Sequence, residues 1–167
     1  MARPYTVAVS GPGGTVDPTL LALAREVGAR LARDGVVVLT GGLDGVMAAA
    51  AQGAREAGGV SVGLLPGADA AAGDEYLSVA LPTGLGQARN ALLVQAADGL
   101  ISIGGSWGTL SEIALATRAR KPVVCVYGWR VSDADGRPQP LVVAGSAAQA
   151  VELVQRALAI GAPSDRE

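Results

Sequence analysis

The chain has 167 residues, half of them hydrophobic but only 3% aromatic, with 24 glycines, one cysteine, no Phe and no His. That length reads as one domain, residues 1–167, whose core is built from Ala, Val, Leu and Ile. A net charge of −2 and a pI near 5.1 argue against the basic footprint of a nucleic-acid polymer partner; the missing His removes His-based acid–base pairs and His metal sites, and a lone cysteine removes an internal disulfide.

Met1–Tyr5 lacks the build of a signal peptide, and no apolar run reaches the roughly 18–20 residues that span a bilayer. A cytoplasmic protein that avoids membranes is the expectation. Thr6-Val7-Ala8-Val9 reads as a first strand that ends in the loop Ser10–Thr15. Asp17 is placed to cap a helix with Pro18 at its first position, running to about Asp34. Val36–Leu39 reads as a second strand, Val46–Ala57 as an Ala-rich helix closed by Gly58-Gly59, and Val60–Leu65 as a third strand followed by the loop Pro66–Gly73. A short strand over Leu77–Leu81 and a helix over Gly86–Ala97 follow. Gly99–Ile103, Pro122–Val126 and Leu141–Val143 read as the remaining strands, with helices opening after Gly104–Thr109 and running over Ala147–Ile160. Gly161–Glu167 reads as frayed. Cys125 falls in a strand and reads as a buried thiol.

Each strand is apolar on both faces, the pattern of a parallel sheet covered by helices on both sides. Strand–helix alternation at this spacing predicts a single doubly wound, Rossmann-like α/β domain with a mostly parallel sheet. Ligands of such sheets bind beyond the carboxyl ends of the strands, near the point where strand order reverses. Four Gly-rich loops, Ser10–Thr15, Thr40–Gly45, Pro82–Gly86 and Gly104–Thr109, would share that rim. Ser10, Gly11, Gly13, Gly14, Gly41, Gly42, Gly104, Gly105, Ser106, Gly108 and Thr109 are therefore the candidate phosphate-binding residues, because glycines let the backbone approach an anion and a helix's first N–H groups receive it. No metal ligands stand out.

Two common nucleotide motifs are missing. Val16 stands where the third glycine of G-x-G-x-x-G belongs, no acid ends the second strand, and no Gly-Lys-Ser/Thr follows any strand. Arg89 is the one charge between Tyr76 and Ala97, and a guanidinium at the rim forks onto phosphate or carboxylate. Glu112 lies one turn into the helix after Gly104–Thr109, where a plain anion site would not want a carboxylate. Asp44 fits either a helix cap or a contact with a ribose hydroxyl or a cation. The segment 127–140 reads as a surface excursion, open as a lid or as a partner contact.

Three stretches together resemble the small Rossmann-like proteins once labelled "lysine decarboxylases", a group that includes the LOG phosphoribohydrolases and, on a nearer branch, the molybdenum-cofactor carrier proteins. They are Thr40–Met47 with its helix and Gly58-Gly59, then Arg89-Asn90, then Gly104–Glu112. Trp107, Gly108, Thr109 and Glu112 fit the second half of the LOG signature P-G-G-x-G-T-x-x-E, whereas Gly104 stands at its proline, Ser106 at its second glycine, and Asn90 at the lysine of its R-K pair. These departures are more like the carrier branch. The resemblance implies a small phosphorylated, nucleotide-like ligand, with molybdenum cofactor as the specific bound molecule and no cofactor required otherwise. As the alternative it implies cleavage of nucleoside 5′-monophosphates to base and ribose 5-phosphate, with Glu112 and Arg89 as the catalytic pair. It also implies a homodimer or higher homo-oligomer, for which the Ala-rich second helix offers a close-packing face. Lysine decarboxylation itself is disfavoured, since Lys121 is the only lysine.

Overall fold

The computed structural model describes residues 3–159. Seven parallel strands form one sheet: β1 (Thr6–Ser10), β2 (Val37–Thr40), β3 (Ser61–Leu65), β4 (Val79–Pro82), β5 (Gly99–Ile103), β6 (Val123–Val126) and β7 (Val142–Ala144), in the order β4-β3-β2-β1-β5-β6-β7. The order reverses between β1 and β5, as in a doubly wound fold.

Five helices cover the two faces. Helices α1 (Pro18–Arg33), α2 (Val46–Glu56) and α5 (Ala147–Ala157) pack on one face around Val7, Val9, Ile101 and Val126. Helices α3 (Arg89–Ala96) and α4 (Trp107–Arg118) pack on the other around Ala8, Leu39, Leu100 and Cys125. Because side chains alternate along a strand, Ser10 follows Ala8 onto the α3–α4 face. Cys125 is buried, and burial pushes its thiol up, away from the reactive thiolate. No helix among the described residues is long and apolar enough to cross a membrane.

Local signals in the sequence account for the element ends. Asp17 accepts a hydrogen bond from the Thr19 N–H at 2.7 Å with Pro18 at the first helical position. The helix expected over Gly86–Ala97 begins instead as a 3₁₀ turn, Gly86–Ala88, so the regular helix opens at Arg89. The last helix stops at Ala157, and the frayed tail expected over 161–167 lies outside the described residues. Burial on both faces holds for the central strands but not for β4 and β7. These are sheet edges, and Val79, Leu81, Val142 and Val143 remain exposed there.

Ala50, Ala51, Gly53 and Ala54 of α2 are buried inside the chain. A Cβ at Gly28 of α1 would collide with the Ala50 carbonyl, and one at Gly53 with the Arg25 carbonyl. The two helices touch backbone to backbone there, while Ala48 and Ala49 of α2 stay half-buried beside Leu21 and Gln52.

Candidate functional site

At the C-terminal rim, the turns after β1, β2 and β5 meet the start of α3. They enclose a cleft of about 290 Å³ lined by Ser10, Gly11, Gly13, Leu43, Asp44, Met47, Gln87, Arg89, Asn90, Ser106, Gly108, Thr109 and Glu112. It sits at the switch point between β1 and β5.

Helix α4 points its N-terminus at this cleft. Its cap is Ser106, whose hydroxyl accepts from the Thr109 N–H at 3.2 Å and shares a hydrogen bond of 2.8 Å with the Thr109 hydroxyl. The N–H groups of Trp107 and Gly108 have no acceptor within the helix, as at any helix start. Trp129, from the 127–140 segment, donates from Nε1 to the Ser106 carbonyl at 3.0 Å and packs against Trp107. Gly105 leaves room for that indole, so it serves the excursion and not the cleft.

Two opposite charges face each other inside. Arg89 opens α3 and is 8% exposed, and Glu112 of α4 is 5% exposed. Nη1 of Arg89 stands 3.7 Å from Oε1 of Glu112, an ion pair without a hydrogen bond. The Arg89 Nε is fully buried and finds no acceptor among the described residues. Burial pushes the Glu112 carboxyl above the usual carboxylate range, opposed by the Ser10 hydroxyl and by Arg89. Burial likewise lowers Arg89, opposed by Glu112. Both groups thus carry a desolvation penalty that their mutual attraction does not offset.

Asp44 lines the cleft, and the helix-cap reading of it fails. It does not cap α2, whose cap residue is Gly45 without a side-chain bond. Its Oδ1 accepts from the Gly14 N–H at 2.9 Å and joins the β1–α1 loop to the β2–α2 turn. Gly13 has no Cβ because one would stand 2.7 Å from that oxygen.

Of the residues named from the sequence, Ser10, Gly11, Gly13, Asp44, Arg89, Asn90, Ser106, Gly108, Thr109 and Glu112 come together in the cleft. Gly14, Gly41, Gly42, Gly104 and Gly105 do not line it. Gly104 makes the turn out of β5 with φ of 65°, a conformation that favours glycine. The Pro82–Gly86 loop follows the edge strand β4, and only Gln87 beyond it reaches the cleft. Leu43, Met47 and Gln87 were not anticipated. Leu43 and Met47 are four residues apart across the start of α2, a spacing that puts both on one side.

Lys121, the chain's one lysine, is engaged away from the cleft. Its ammonium donates to the carbonyls of Val94 and Gln95, each at 2.8 Å, and of Ala97, and so closes the end of α3. It precedes β6, at the opposite end of the sheet from the cleft.

Residues 4–159 match the model of the SLOG cluster4 family. An uncharacterized protein of Archaeoglobus fulgidus is 40% identical over 124 residues, 71% of this chain and 82% of its own length. Among solved structures, the molybdenum cofactor binding protein of Rippkaea orientalis superposes with a TM-score of 0.84 at 34% identity, covering 95% of this chain and 99% of that one. The molybdenum cofactor carrier protein of Chlamydomonas reinhardtii gives 0.82 at 33% identity, covering 94% and 99%.

Proposed function

The chain belongs to the SLOG cluster4 family, and on that premise we propose that it binds a small phosphorylated, nucleotide-like molecule in the cleft and holds it without turnover. Molybdenum cofactor, a pterin with one phosphate, is the specific cargo we favour. The observation that carries this reading is Arg89, a buried guanidinium whose Nε has no acceptor and whose counter-ion lies beyond hydrogen-bond reach. Such a group is an anion receptor waiting for its anion.

The chemistry around it suits the two ends of such a ligand. The phosphate would take the Arg89 guanidinium, the N–H groups of Trp107 and Gly108, and the hydroxyls of Ser106 and Thr109. Leu43 and Met47 offer an apolar wall for a planar ring. Asp44 and Glu112 are acceptors for ring N–H or sugar O–H donors, which accounts for carboxylates in an anion site. The volume falls near the lower bound of small-molecule sites. Two structural neighbours named for molybdenum cofactor, each at a third of residues identical, support the same choice.

The rival reading, N-glycosidic cleavage of nucleoside 5′-monophosphates, rests on the same buried pair, since a carboxylate beside the sugar stabilises an oxocarbenium-like transition state. Base release from a panel of nucleoside 5′-monophosphates separates the two. Intact nucleotides after prolonged incubation with folded protein are expected. Release of base that disappears in Glu112→Ala would overturn the carrier reading. Binding gives the second check: Arg89→Ala should weaken guanosine 5′-monophosphate at least about tenfold while leaving guanosine unchanged, as expected for a charge-assisted phosphate contact.

A further inference from the structure

Gly41 was singled out as a ligand-loop glycine, yet it does not line the cleft. Nor does its backbone require glycine, for it is absent from the positive-φ residues, whereas its neighbour Gly42 has φ of 75°. The Gly42 N–H donates to the Thr40 hydroxyl at 3.0 Å, which fixes the turn after β2. Gly41 is buried within that fixed turn. The three atoms nearest to a Cβ placed there all belong to Arg89. The guanidinium carbon would be 2.7 Å away and both terminal nitrogens closer still. Real carbon–nitrogen contacts sit near 3.5 Å.

We propose that Gly41 is a positioning residue, the seat against which the Arg89 guanidinium is held in the cleft. The proposal rests on the reading that Arg89 receives the ligand's phosphate. Two constraints define the seat. Arg89 is the first residue of α3, so its Cα is fixed by the helix. Its head has the Gly41 backbone on one side and Glu112 at 3.7 Å on another. A methyl group at position 41 removes about 1 Å of that space. The guanidinium is the free end of a long side chain, so it yields before the buried turn does. The chain folds, but the receptor is misplaced. A hydrogen-bonded anion site tolerates such a shift poorly.

The test compares wild type, Gly41→Ala, Arg89→Ala and the double variant by titration with guanosine 5′-monophosphate and guanosine. The two tryptophans, Trp107 and Trp129, stand at the start of α4 and report binding by fluorescence. Gly41→Ala should weaken the nucleotide about tenfold or more and leave guanosine unchanged, and it should weaken nothing further once Arg89 is Ala. A crystal structure of Gly41→Ala should show the guanidinium displaced by about 1 Å or more with the β2–α2 turn in place. If Gly41→Ala fails to fold, the double variant decides: recovery of folding supports the steric coupling, and continued failure overturns it. Wild-type affinity in Gly41→Ala, losses that multiply in the double variant, or an undisplaced guanidinium would each overturn the proposal. If wild type binds neither probe, the phosphate reading fails for this probe, while the position of Arg89 in the variant crystal still decides the role of Gly41.

Discussion

Arg89 and Glu112 each lose water on folding and regain too little from one another. Their separation of 3.7 Å yields attraction without a hydrogen bond, and buried charges left in that state are destabilising. For Glu112 the consequence has a definite sign. Its folded pKa is raised above the ordinary 4.5, so the folded state holds its proton more tightly than the unfolded state. Stability contributed this way is present at acid pH and lost as pH rises through the window above 4.5. Glu112→Gln should therefore unfold at a Tm equal to or above wild type at pH 7, with the difference closing as the pH approaches 4. Thermal unfolding at the two pH values checks this. A variant clearly less stable than wild type at pH 7 would make the carboxylate a structural group. The sequence made both residues legible for simple reasons. Arg89 is the only charge in a long uncharged stretch, and Glu112 is an acid where a helix N-terminus faces an anion site. Their burial and their mutual distance were not legible, because α3 and α4 meet only in the folded chain.

At the scale of elements, glycine was the least faithful guide. Glycines along the rim read alike in the sequence, yet they do different work. Gly108 lines the cleft, Gly105 admits the Trp129 indole, Gly13 admits the Asp44 carboxylate, and Gly41 faces Arg89. A missing side chain does not say what fills its place. Helix starts were more legible, since Asp17 with Pro18 and Ser106 before Trp107 carry their own capping chemistry. The α1–α2 contact illustrates the cost of replacing a close-contact glycine. Gly28→Ala would drive a methyl group into the Ala50 carbonyl, and neither backbone can rotate away as a side chain can. We expect a loss of about 3 kcal/mol in urea unfolding, the upper range for overpacking. A neutral substitution would mean that the helices slide apart freely.

Across the whole molecule, the parallel sheet and its helical layers follow from strand runs apolar on both faces and from the regular alternation of elements. The strand order does not, because nothing local tells β5 to pair with β1 instead of β4. That order decides the site. It brings the turns after β1, β2 and β5 around one cleft and leaves the loop after β4 at the far edge of the sheet. It also explains why the edge strands departed from the two-faced apolar pattern in exposure though not in sequence. The excursion 127–140 is anchored beside the site through Trp129, a position that its composition of Gly, Pro, Asp and Arg does not specify.

The most direct test of the carrier reading is retention of molybdenum cofactor. Cofactor released from a molybdenum enzyme is mixed with the protein and passed through a sizing column, and pterin and metal are measured in the protein fraction. The account predicts near-stoichiometric retention by wild type and a loss of at least about tenfold in Arg89→Ala, whose phosphate contact is gone. No retention by folded wild type, or equal retention by Arg89→Ala, would contradict it.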